Sequence, residues 1–134
     1  MGQQQLLLLT LAAILVGIGV LLGINMFQEN AAQANLDAVI QRSLTIGSQA
    51  QAWHKRPTAM GGGGQSFTGF DLTDLGFAAA GDTTEDGTFS SAVVGPTTIT
   101  ITGTGKEDLN GDGGALVVVV TVSSNSASVT SVSK

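Results

Sequence analysis

The stretch LLLLTLAAILVGIGVLLGI, residues 6–24, decides how the rest of the chain is read. It runs for 19 residues without a charge. At about 1.5 Å per residue a helix of that length covers roughly 30 Å, the thickness of a bilayer's hydrocarbon layer. The run is apolar in every direction, so one domain on one side cannot cover it, and it must be enclosed by lipid or by other helices. Its flanks exclude two alternatives. Met1-Gly2-Gln3-Gln4-Gln5 carries no cation ahead of the run, and the nearest small-residue cleavage pattern, Ala32-Gln33-Ala34, lies far downstream, so the segment reads as retained rather than as a secretory signal. Leu6 stands where a myristoylation signal requires Ser or Thr.

Downstream of Ile24 the composition turns polar and rich in Ala and Gln, but the helical period persists. Leu36, Val39, Ile40, Leu44, Gly47, Ala50 and Trp53 recur at intervals of three and four, the signature of one apolar face. No proline or turn cluster separates the two halves. The pattern predicts one helix of roughly 50 residues, about 75 Å long at standard rise. Arg56-Pro57 should end it, because a residue preceding proline avoids helical dihedrals. Within the apolar half, Gly17, Gly19 and Gly23 lower helix stability by about 1 kcal/mol each relative to Ala, so this is where the helix is expected to loosen once assembled. Ala13, Gly17, Gly19 and Gly23 also supply the small-residue spacing that lets apolar helices approach closely.

The C-terminal part changes period. Gly61 to Gly64 reads as a flexible connector, and Ser66 to Ala80 as an irregular segment anchored by Phe67, Phe70, Leu72, Leu75 and Phe77. Thr88 to Val94, Thr97 to Gly103, Ala115 to Ser123 and Ser126 to Val132 are β-branched runs bounded by turn residues, which predicts four antiparallel strands. Leu116 to Val120 is apolar at every position, so on both faces, and is expected to be central. The predicted fold is α+β: a long N-terminal helix, apolar then amphipathic, packed on a four-stranded antiparallel meander. The chain divides into an apolar helix (1–24), an amphipathic helix (25–56), a Gly-rich connector and irregular segment (57–87) and a sheet (88–134).

Composition narrows the chemistry. Five Lys and Arg against ten Asp and Glu give a net charge of -5, which leaves no basic footprint for nucleic acid. The absence of cysteine removes disulfides, thiolate metal sites, thiol nucleophiles and lipid-modified cysteine anchors together. His54 is the only histidine, lies between Trp53 and Lys55, and reads as charge at a helix C-terminus rather than as a ligand or a catalytic base. Gly103-Thr104-Gly105-Lys106 lacks the spacer and the hydroxyl of a phosphate loop. Asp108-Leu109-Asn110-Gly111-Asp112-Gly113 matches the first half of a calcium loop, with Asp108, Asn110 and Asp112 as oxygen ligands. The second half is missing, since Val119 stands where the bidentate Glu belongs, and tight turns favour the same residues without metal. No enzyme active site is expected, and no cofactor apart from this calcium possibility.

Taken together, the apolar N-terminal helix, its amphipathic continuation and the four-stranded meander resemble the type IV pilins. The likeness in layout covers the whole chain, and the likeness in motif is confined to the first 25 or so residues. It implies a structural subunit that polymerises with copies of itself into a cell-surface filament. Before assembly the subunit would be anchored in the inner membrane, and it would meet a prepilin peptidase and the pilus assembly machinery. It also implies that Met1 is the mature terminus left by removal of an upstream leader, with cleavage after Gly2 as the lower-ranked register. The assembly residues are then Met1, Gln5, Leu6, Leu15, Gly17, Ile18, Gly19 and Gly23. Gln5 departs from the family, which has a glutamate there. An amide can accept a hydrogen bond from a neighbour's amino terminus but cannot cancel its charge. The other expectations weighed are a secretion-system pseudopilin and a monomeric membrane-anchored binding module.

Overall fold

The computed structural model describes residues 2–78 and 81–133; Met1, and Ala79 and Ala80 of the irregular segment, lie outside the described residues. One helix, α1, runs from Gly2 to Lys55 and joins the apolar and amphipathic halves without a break. Two short 3-10 turns follow, Thr58–Met60 and Leu72–Leu75. The strands are β1 (Asp82–Thr83), β2 (Gly87–Gly95), β3 (Thr98–Gly105), β4 (Val117–Ser123) and β5 (Ala127–Ser133). They pair in chain order, every pair antiparallel, so four full strands form a meander and β1 adds two residues at one edge. The four long strands fall within two residues of the runs read from the sequence. The architecture is α+β, one long helix packed on an antiparallel sheet.

Alternation along β3 and β4 sets which side meets the helix. Ile99, Ile101, Val118, Val120 and Val122 are buried, while the residues between them are half-exposed. Val117 and Val119 therefore face away from α1, and β4 is covered on one face only. An all-apolar strand in an antiparallel sheet keeps the pleat's period of two whatever its composition, and only one layer of helix is available to cover it.

The helix face that meets the sheet is Ala32, Leu36, Val39, Ser43, Ile46, Gly47, Ala50, Trp53 and His54. Ile40 and Leu44, read as core from their spacing, sit at its margin and are only half-buried. The centre line passes through Ser43 because Gly103 lies beneath it. A Cβ at Gly103 would come within 2.8 Å of both the Ser43 Oγ and the Val39 Cγ1. A glycine in the strand thus draws the helix down, and the gap admits a small residue at position 43 where a larger apolar one would clash.

The helix ends where Arg56-Pro57 predicts, but Gly61 to Gly64 is not a loose connector. The Gly63 N–H donates to the Trp53 carbonyl (3.0 Å), Gly64 to Arg56 (2.9 Å) and Gln65 to His54 (2.7 Å). The segment folds back and satisfies carbonyls that a helix C-terminus leaves unpaired. A side chain at Gly63 would run into the Trp53 ring and the Ser66 carbonyl. Beyond this cap, Phe67, Phe70 and Leu72 enter the core, with Leu75 and Phe77 packed at its margin.

Candidate assembly interface

Every described residue from 2 to 30 is exposed in the isolated chain; Asn30 is the last before the domain begins to cover the helix at Ala31 and Ala32. Those 29 residues form a rod about 43 Å long at standard rise, carrying its apolar side chains on all sides. Leu6 is 63% exposed, Leu15 60% and Ile18 50%, values far outside the range of a folded core. The one polar side chain within residues 6–24, Thr10, donates to the Leu7 carbonyl at 2.9 Å, so that part of the rod presents no unpaired side-chain donor to an apolar surrounding. Gln5 lies in the helix near its N-terminal end, and Met1 lies outside the described residues. The helix is long and apolar enough to cross a membrane.

Gly17, Gly19 and Gly23 are helical, and a Cβ added at any of them would meet nothing within 4 Å. Nothing inside the chain therefore explains three residues that weaken a helix. Gly47 offers the contrast, because a Cβ there would lie 3.0 Å from Val122. Loosening between Gly17 and Gly23 was expected of an assembled state, and in the isolated chain the helix passes through all three regularly.

The structure brings Asp108, Asn110 and Asp112 together, but through the loop's own hydrogen bonds. Asp108 accepts from the amides of Gly113 (2.6 Å), Gly111 (2.8 Å) and Asn110 (3.0 Å). Asp112 accepts from the Asn110 side-chain amide (2.9 Å) and the Gly114 N–H (2.7 Å). The Gly113 bond, with those from Gly111 and Asn110, holds the Asp108 carboxyl below the usual aspartate range despite some opposing desolvation. Among the described residues no group of three or more acidic, His or Cys side chains is placed to hold a metal.

His54 departs from its expected place. It is buried, its ring 4.4 Å from that of Phe67, and neither ring nitrogen has a hydrogen-bond partner among the described residues. The backward-folding cap closes over the last helical turn and takes the imidazole with it. A shallow cavity of about 340 Å³ beside it is lined by Lys55, Gln65, Thr97, Ser124 and Asn125.

Two polar side chains that periodicity passed over fix the helix to the sheet. Asn35 donates to the Asp86 carbonyl (2.8 Å) and accepts from the amides of Lys106 (3.2 Å) and Glu107 (3.4 Å), joining two loops at the end of the domain nearer the apolar rod. Gln51 donates to the Ser123 carbonyl (3.0 Å) at the opposite end. Counting apolar residues cannot find such pins, because their value lies in backbone groups remote in sequence. No family model matches the chain, and neither the curated proteins nor the solved structures yield a match.

Proposed function

We propose that the chain is a structural subunit of a type IV pilus-like filament, in which the apolar halves of α1 bundle at the axis and the β domains form the shell. The observation that carries this reading is the rod itself: 29 exposed residues, joined to the domain by continuous helix. A membrane anchor alone needs no such coupling, whereas in a helical polymer a stiff rod fixes the domain at a set height and angle relative to its neighbours. Gly17, Gly19 and Gly23 fit the same reading, since helices leaving lipid for one another gain little hydrophobic free energy and depend on close backbone approach. Before assembly the same rod would rest in a membrane. The function then belongs to the polymer at the cell surface, without catalysis by the subunit.

A central charge is the direct test. An Asp in the middle of an apolar helix costs about 2.5–3.5 kcal/mol on insertion scales, and in a polymer the cost recurs in every subunit. Leu15→Asp should abolish fibres in negative-stain electron microscopy while the domain keeps the near-ultraviolet signal of Trp53; abundant normal fibres from this variant would sink the proposal. The second reading, a monomeric membrane-anchored module, rests on the same rod and predicts a wild-type chain that stays in detergent micelles and never yields fibres. Short assemblies would instead favour a secretion-system pseudopilin.

A further inference from the structure

Strands β2 to β5 contain no charged residue at all. In a protein with ten acids and five bases, every charge has been placed on the helix, in the loops, in the two-residue β1 or at the C-terminal Lys134. The inner face of the sheet is occupied by α1. The outer face, with Val119 in its middle row and Val117 at one end of β4, is a field of hydroxyls and small apolar groups. Its middle row runs Ser90, Thr102, Val119, Ser131 across the four strands, and the next row includes the Thr100–Thr121 pair. Thr is at home on a solvated sheet face, but charges spread over a surface are what keep copies of a protein apart, and this face carries none.

We propose that this outer face is a self-association surface whose occupant is the same face of a second copy. The charge distribution selects that occupant. Two molecules of net charge -5 repel through their acidic loops, and this broad face of the β domain lets them approach without opposing like charges. A glycan is disfavoured, because saccharide platforms use exposed aromatic rings and the sole aromatic residue of β2 to β5, Phe89, is buried on the inner side. Pairing edge to edge is disfavoured too. Register shifts place an extra residue in β2 at Val94 and in β5 at Thr130, and bulges of this kind blunt strand edges.

Area sets the strength of the contact. Four strands about 4.8 Å apart and seven residues long cover roughly 450 Å² per copy, or about 900 Å² in a pair. A stable pairwise interface buries nearer 1,600 Å², so two free subunits associate only transiently. Copies arrayed on a fibre or held in a membrane add such contacts in parallel, and the contact becomes effective by multivalency. The array rests on the filament reading above, in which this face points outward. Its consequence there is side-by-side bundling of fibres.

Because the chain has no cysteine, one introduced thiol reports on the contact. Thr102→Cys in the full chain is treated with a bis-maleimide spanning about 10 Å, the distance between face-packed sheets. The reaction is run both on fibres and on the chain in lipid vesicles of zwitterionic phospholipid, where copies share a membrane without forming fibres. A Cys at Gln41, on the helix flank, is the control. Thr102→Cys is expected to give dimers several-fold above Gln41→Cys, and Thr100→Glu with Thr121→Glu should return them to the control level while Trp53 fluorescence stays native. Dimers in vesicles, from a chain whose expressing cells yield no fibres in negative-stain microscopy, would uphold the face and overturn the filament. Fibres with Thr102→Cys at the control level would overturn the face alone, as would a face that takes lipid or polysaccharide instead.

Discussion

Gly103 and Ser43 set the distance between helix and sheet, and the consequence can be measured. Gly103→Val would force the Ser43 Oγ, the Val39 Cγ1 and the Phe89 Cε1 aside, each within 2.9 Å of the new Cβ. Overpacking of this kind costs about 1–3 kcal/mol, so the urea midpoint followed by Trp53 fluorescence should fall clearly below that of the wild type. A midpoint unchanged or raised would mean that the helix does not bear on the strand there. Asp108 makes a second residue-scale prediction. Its folded pKa is depressed, so its contribution is fully present above the ordinary aspartate value of 3.8 and is lost as pH falls through the lower folded value. The Gly113 amide proton, bonded to Asp108 at 2.6 Å, should therefore titrate with a midpoint below 3.8. A midpoint at or above the ordinary value would show that the loop's hydrogen bonds do not hold the carboxylate. Neither Ser43 nor Asn35 was legible as important in the sequence, because one replaces an apolar residue only over a distant glycine and the other acts on loops more than 50 residues away.

At the scale of elements, α1 depends at its C-terminus on the segment that folds back over it. Gly63→Ala should expel the cap, since the added methyl group meets the Trp53 ring and the Ser66 carbonyl. Carbonyls of the last helical turn then lose their partners, and amide hydrogen exchange at Gly64 and Gln65 should rise at least tenfold with the strands unaffected. Unchanged protection at both amides would refute the cap's role. The four long strands, the helix end at Arg56-Pro57 and the anchoring phenylalanines were readable from the sequence, because β-branched alternation and proline sterics act locally. The cap was not, since a run of glycines permits many conformations and only the position of Trp53 selects this one. The burial of His54 follows from the same closure. The place of β4 inside the sheet, between β3 and β5, was readable too, from a run apolar on both faces; that one layer alone would be covered was not.

For the molecule as a whole, the covered half and the uncovered half of α1 divide the work. Residues 32–54 hold the sheet and close a core of Phe67, Phe89, Ile99, Ile101, Leu116 and the inward valines of β4. Residues 2–30 are exposed throughout, and only towards their end do Asn25, Gln28 and Glu29 come beside the loop of Asp108, Leu109 and Gly111. That division was visible in the charge-free run of residues 6–24, which is why the exposed half of the helix was legible from composition alone. The contacts it would make in the proposed filament were not, because they would lie between molecules. The most direct measurement is electron cryomicroscopy of the assembled fibre, with the chain traced from the domain inward. The filament reading predicts residues 6–24 of neighbouring subunits packed around the fibre axis, with Gly17, Gly19 and Gly23 at the closest helix crossings and the sheets outermost. A fibre whose axis is lined by β domains, with the apolar helices at its periphery, would contradict it.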